Sequence, residues 1–179
     1  MSTTSSLIIR QLMGAELSQH LGTLSQILVQ TVTAGASVGF ILPFTSADAG
    51  VFWQERIFPA VERGDTLLFG AFLEGKLQGT VQLVIALPPN QPHRGDVAKL
   101  LVHPDARRAG LGRALMLTLE EEARRLGKAL LVLDTRSGDP SQRLYEGLGY
   151  QVAGSIPGFC RNPRTETYEA TTYLYKSLN

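Results

Sequence analysis

The segment VAKLLVHPDARRAGLGRALM (97–116) constrains the chain most. An apolar run ends at Val102-His103-Pro104, because Pro104 has no N–H for a sheet ladder. A basic turn containing Gly110 and Gly112 follows, and helical periodicity begins directly after it. Leu111, Leu115, Leu119, Ala123 and Leu126 define one apolar face over 110–126. Glu120–Arg124 and Glu121–Arg125 stand as i,i+4 pairs on the other side, which assigns Glu120 to Glu122 to a solvated face. Gly127 suits the residue after the helix end. A strand, a basic glycine turn and a helix in immediate succession have a specific electrostatic consequence. The first N–H groups of a helix lack internal partners and sit at the positive end of its dipole. Small residues there let an anion approach, and Arg107, Arg108 and Arg113 add charge. The local reading is a phosphate or pyrophosphate cradle.

Two common phosphate signatures fail. A P-loop needs Gly-Lys-Ser/Thr, which is missing, and the dinucleotide pattern G-x-G-x-x-G meets Leu115 where its third glycine belongs.

The rest of the chain alternates strand and helix patterns. Strands are expected at 7–10, at 66–87 as a hairpin around Glu74-Gly75-Lys76, at 96–102, at 129–133 as a doubly buried run, and at 150–154 and 167–176. Helices are expected at 14–30, at 47–63 with Ser46 or Asp48 as cap, and from Pro140 to about Gly147. Pro59 is expected to end or kink the second of these. Residues 31–40 read as a loop, and the Ser/Thr residues before Leu7 as a frayed tail. With no linker and no repeat, residues 1–179 form one mixed α/β domain.

Composition removes other classes. Charged residues are 18% and hydrophobic ones 44%, which excludes disorder. Seventeen Lys+Arg against 16 Asp+Glu gives +1, so bulk attraction to nucleic acid is not expected. Cys160 is the one cysteine and can close no internal disulfide, which fits a reducing compartment. Cys160 also has no visible base partner for nucleophilic work. No apolar run reaches the ~18 residues of a membrane span, and no signal peptide is visible. A soluble, cytoplasmic protein without a membrane or nucleic-acid partner is expected.

Arg107-Arg108-Ala109-Gly110-Leu111-Gly112 reads R-x-x-G-x-G directly after the Val102-His103-Pro104 strand end. This resembles the pyrophosphate signature of the GCN5-related N-acetyltransferase (GNAT) superfamily. LVLDTRSGDPSQRLYEGLGYQVAG resembles that family's later strand, helix and Y-x-x-x-G-[FY] sequence, with Tyr145, Gly149 and Tyr150 in register. The resemblance covers about residues 7–176. Within the family, TVTAGASVGF, LDTRSG, IPGFC and YEATTYLYKSL are similar to the tabtoxin-resistance branch, which acetylates and inactivates a small amino-acid-like β-lactam toxin.

The resemblance implies a central, mostly antiparallel twisted sheet, helices on both faces, and two parallel central strands splayed around acetyl-CoA. Leu100, Leu101 and Val102 would pair with the pantetheine arm and hold the thioester oxygen by backbone groups. Arg107, Arg108, Ala109, Gly110, Leu111, Gly112 and Arg113 would wrap the pyrophosphate, with the Arg107 and Arg108 side chains either on phosphate or in solvent. Tyr145 would protonate the departing thiolate. Asp134, then Asp96, then His103 are the candidates for deprotonating the amine, and Asp134 also for holding its ammonium. Ser37, Val38 and Phe40, with Phe52 on the next helix, would line the acceptor pocket, and Trp53 beside Phe52 would either join them or pack in the core. Family members often carry asparagine where this chain has Gly138, so Asp139, Ser141 or water would take its contact. The implied reaction is direct acetyl transfer to the primary amine of a small, amino-acid-like molecule, with no metal. A protein or polyamine acceptor and a non-catalytic CoA sensor are the competing readings. Related enzymes are often homodimers, and the sequence leaves the oligomeric state open.

Overall fold

The computed structural model of the chain describes residues 6–179. Residues 2–5 of the expected tail lie outside them. Ser6 is not frayed: its N–H donates to Glu74 Oε1 at 2.9 Å and its carbonyl accepts the Glu74 N–H at 2.9 Å.

The strands are β1 Leu7–Leu12, β2 Thr66–Leu73, β3 Lys76–Val84, β4 Arg94–Val102, β5 Leu130–Arg136, β6 Gln151–Arg161 and β7 Tyr168–Ser177. They form one seven-stranded sheet in the order β1-β2-β3-β4-β5-β7-β6. Among the described residues only β4 and β5 run parallel; every other neighbouring pair is antiparallel. Helices cover both faces, so central strands bury successive side chains on opposite sides. Along β2, Leu67, Phe69 and Ala71 enter one core and Leu68 and Phe72 the other. Between β2 and β3, Glu74 (φ 49°) and Gly75 (φ 74°) make a two-residue turn of left-handed residues, which matches the twist of the hairpin.

The expected helix 14–30 is two helices, α1 Ala15–Gln19 and α2 Leu21–Thr33. His20 (φ −99°, ψ 4°) breaks them, and its ring packs edge-on against Phe72 at 5.4 Å. The next helix, α3 Ser46–Phe52, is capped by Thr45 rather than Ser46 or Asp48. Thr45 Oγ1 accepts the Asp48 N–H at 3.2 Å, and the Asp48 carboxylate accepts the Thr45 N–H at 2.8 Å. Pro59 does not end this helix. A wide π-type turn, Trp53–Ile57, precedes it, and α4 Phe58–Glu62 continues. Because Pro59 has no N–H to offer the carbonyl one turn back, the extra residue in that turn absorbs the missing bond.

Helix α5, Leu111–Arg125, lies on the face opposite α2 and buries Leu111, Leu115, Met116, Leu119 and Ala123. Glu120 is also buried, only 1% exposed, which corrects its assignment to a solvated face. Its carboxylate takes Lys176 Nζ from β7 at 2.6 Å. The expected Glu121–Arg125 pair is replaced by Glu122, whose carboxylate accepts Arg125 Nε at 2.8 Å. The last helix is α6 Pro140–Gly147. Strand β6 is longer than expected and runs through Gly154, Pro157 and Gly158. It is an edge strand with register shifts at Val152/Gly154 and Ile156/Cys160, where glycine and proline are tolerated. Among the described residues no helix is long and apolar enough to cross a membrane.

Candidate active site

β4 and β5 pair only at Arg94↔Leu130, Gly95↔Leu131 and Asp96↔Val132. Past that point β4 stays with β3 as far as Gly79↔Val102, while β5 follows β7 as far as Arg136↔Thr171. The two strands therefore part into a wedge whose facing backbone edges have no ladder partner. Leu101 is buried in the core under α2 and α3, while Leu100 and Val102 pack toward the core under α5. Their side chains are thus committed to the two cores, and the backbone edge of 97–102 is left for an extended ligand.

At the mouth of the wedge the chain passes through a short 3₁₀ turn, Pro104–Ala106, into the basic turn. Arg108 (φ 64°) and Gly110 (φ 79°) both adopt left-handed backbone. Gly110 occupies the N-cap of α5 without any side-chain cap, and the first intrahelical bond is Ala114 N–H to the Gly110 carbonyl at 3.0 Å. The N–H groups of Leu111, Gly112 and Arg113 are consequently free for an anion. Arg107, Arg108, Ala109 and Arg113 are exposed around them. Gly112 has a packing duty: a Cβ there would meet Leu144 Cδ2 of α6 at 3.2 Å. These free amides, next to an unpaired strand edge, fit a long ligand with a phosphorylated end.

Tyr145 on α6 is 6% exposed, with its ring 5.8 Å from that of Tyr150. Burial, and secondarily the charge of Asp134, push its phenol well above the usual range, so it keeps its proton at neutral pH. Asp134 lies on β5 just past the last β4 pairing. Its Oδ2 accepts a hydrogen bond from Thr171 Oγ1 at 2.9 Å. Thr171 is 2% exposed and belongs to β7; the linear sequence gave no signal for it.

The loop after α2 is tied to the connection between β6 and β7. The Leu42 N–H donates to the Pro163 carbonyl at 2.9 Å, and Arg164 Nε donates to the Thr33 carbonyl at 3.2 Å. Ser37 and Val38 are half-buried in this loop. Phe40 packs on Phe44 at 4.5 Å and edge-on to Phe52 at 5.1 Å. Of the two readings for Trp53 the core holds: it is fully buried beside Phe58. Lys99, a residue not anticipated from the sequence, lies beside this loop. Its Nζ lies 5.9 Å from the Phe52 ring centre. Burial lowers its pKa, and the Asp134 charge partly offsets this.

The other candidates are placed differently. Asp96 sits at the closed end of the wedge, ion-paired with Arg94 Nη1 at 2.6 Å. Burial raises its pKa, Arg94 opposes that, and Asp134 adds to it. The His103 Nδ1 accepts the Asp105 N–H at 3.2 Å and so caps the 3₁₀ turn. Gly138 (φ 81°) donates its N–H to Gln142 Oε1 at 2.9 Å. Asp139 accepts Arg136 Nε at 3.0 Å, and the Ser141 and Thr135 hydroxyls lie 2.7 Å apart, so both side chains have partners within the protein.

A splayed parallel strand pair, with an uncapped helix start at its mouth and a buried phenol on its flank, forms the candidate site. Residues 38–150 match the family model described as Acetyltransferase (GNAT) family, and the chain belongs to that family. It is 35% identical over 107 residues to an uncharacterized N-acetyltransferase encoded in the hisH-hisA intergenic region of Azospirillum brasilense, a match covering 59% of this chain and 61% of that protein. It is 30% identical over 102 residues to the [ribosomal protein bS18]-alanine N-acetyltransferase of Escherichia coli K12, covering 56% and 66%. The chain thus matches somewhat less than two thirds of each relative's own length. In fold it is similar to yncA of Salmonella typhimurium, solved with its cofactor acetyl-CoA, at TM-score 0.75 and 20% identity, covering 97% of this chain and 94% of that one.

Proposed function

We propose that this chain is an acetyl-CoA-dependent N-acetyltransferase acting on the primary amine of a small, amino-acid-like molecule. The observation that carries the reading is the wedge. An unpaired β4 edge runs from the free α5 amides toward Asp134 on β5, whose charge reaches Tyr145 on α6. Acetyl-CoA supplies the acetyl group as an activated thioester. The N–H groups of Leu111, Gly112 and Arg113 would hold its pyrophosphate, and the backbone of Leu100 to Val102 its extended arm and acyl oxygen. Tyr145 delivers a proton to the leaving sulfur. Asp134, oriented by Thr171, holds the incoming ammonium and takes its proton, since only the neutral amine attacks. The largely apolar loop around Val38 and Phe40 favours a small acceptor over a polycation such as a polyamine. The resemblance to the tabtoxin-resistance branch supports inactivation of a toxic amine as one physiological use.

The relation to the bS18-alanine acetyltransferase supports a second reading, a protein N-terminus as acceptor. Release of free thiol from acetyl-CoA, measured across amino acids, small amines, polyamines, aminoglycosides and N-terminal peptides, separates the two. Turnover on amino acids supports the first reading, and turnover on peptides alone the second. Acetyl-CoA binding without turnover on any acceptor would leave a CoA sensor.

Two expected results follow from the geometry. Asp134→Asn lowers kcat/KM by about a hundredfold at pH 7. The loss shrinks at alkaline pH, where the amine is already neutral, so a pH–rate profile checks it. Ala109→Asp places a carboxylate next to the free amides at the start of α5, on an exposed site. Negative charge there suits the helix dipole, so thermal stability holds, but it competes with the pyrophosphate. The Kd for acetyl-CoA rises about tenfold or more by calorimetry.

A further inference from the structure

We propose that Lys99 is the carboxylate-binding residue of the acceptor pocket, which makes the substrate a free α-amino acid rather than a simple amine or a peptide N-terminus. The inference rests on the acetyltransferase reading and narrows its acceptor.

Lys99 stands at a bulge. Gln82 pairs with Ala98 and Thr80 with Leu101, so Lys99 and Leu100 together oppose Val81. Lys99 takes up the extra residue with φ 51°, a left-handed conformation that glycine adopts without strain and lysine does not. That conformation turns a lysine out of a strand whose neighbours fill the two cores. Its Nζ lies 3.6 Å from the point a Cβ on Gly39 would occupy and 5.9 Å from the Phe52 ring centre. The ammonium thus sits between the acceptor loop and α3. Among the described residues it makes no salt bridge, although it feels the charge of Asp134 across the wedge.

A half-buried cation without an ion-pair partner is costly, and burial lowers its pKa. A ligand carboxylate would supply the missing anion. Opposite it, Asp134 offers a carboxylate to an ammonium. One cation and one anion across the wedge match the two charges of a zwitterionic amino acid, with Phe40 and Phe52 near Lys99 left for its side chain. A peptide N-terminus lacks the α-carboxylate, and a polyamine would bring further positive charge toward Lys99.

The test pairs each of the common L-amino acids as free acid and as its carboxamide. Acetylation rates and, separately, calorimetric binding are measured with wild type, Lys99→Gln and Lys99→Arg. For the accepted amino acid, wild type prefers the acid over the amide by about tenfold to a hundredfold in kcat/KM and in Kd. Lys99→Gln erases that preference through KM while its acetyl-CoA Kd stays unchanged, and Lys99→Arg restores part of it. Equal use of acid and amide, or a preference that survives in Lys99→Gln, overturns the role of Lys99 and leaves small-amine acetylation standing. Turnover on peptides with none on any amino acid or amide overturns both.

Discussion

Tyr145→Phe lowers kcat by about a hundredfold to a thousandfold, with the KM for acetyl-CoA changed only a few-fold. The substitution deletes one oxygen from a ring that is 6% exposed and packed near Tyr150, so the core keeps its volume. What is lost is a proton for the leaving sulfur, an interaction realised only as the bond breaks. The pH dependence has a definite sign. Burial and the Asp134 charge raise the Tyr145 pKa, so the phenol stays protonated past the ordinary tyrosine value of about 10. Wild-type kcat therefore shows no alkaline fall from tyrosine ionisation below that pH. The variant lies lower at every pH without a new limb. Steady-state kinetics between neutral pH and 10 check both parts. A fall in kcat below twofold would remove Tyr145 from the chemistry.

Lys176→Met destabilises the fold by about 3 kcal/mol. Glu120 is 1% exposed, and its Oε2 lies 2.6 Å from Lys176 Nζ, which also donates to the Leu148 carbonyl at 2.6 Å. Arg124 reaches the same Oε2 only at 3.8 Å and from the more exposed side. Without Lys176 a carboxylate is left in the core beside the Tyr150 phenol, itself held protonated by burial and by Glu120. For a chain of this size the loss corresponds to roughly 6–12 °C in Tm. Pairing Lys176→Met with Glu120→Leu removes both charges and recovers most of the stability, because apolar side chains can replace a buried ion pair at little cost. Thermal melts of the single and double variants test this. A single variant within 2 °C of wild type would show that Arg124 or water carries the charge.

The contrast between Tyr145 and Glu120 shows what was legible in the linear chain. Tyr145 and Asp134 were singled out by resemblance to the family, whereas the turn at 107–113 was legible because a strand, a glycine turn and a helix follow each other without a gap. The hairpin at Glu74-Gly75 was legible for the same reason, since its turn chemistry is contained in two residues. Glu120 was misplaced because its partner, Lys176, arrives from β7, which enters the sheet between β5 and β6. Lys99 was passed over because VAKLLV reads as an ordinary strand. Its left-handed backbone arises from the register with β3, a long-range property with no local signal. Thr45 was missed for a smaller reason: it competes with Ser46 as a cap, and only the reciprocal Asp48 bond decides between them. The extent of β6 was hidden by Gly154, Pro157 and Gly158, which read as breaks until the strand is known to lie at the sheet edge.

The measurement that tests the central claim most directly is the mass of the amine product. The protein is incubated with acetyl-CoA and the amino-acid panel, and thiol release and amine mass are followed in the same mixture, with Tyr145→Phe alongside. Transfer predicts one free thiol for each amine that gains an acetyl group on nitrogen, at a rate strongly reduced in the variant. Thiol release without an acetylated amine, or no binding of acetyl-CoA at all, would contradict the assignment of the wedge and of residues 107–113.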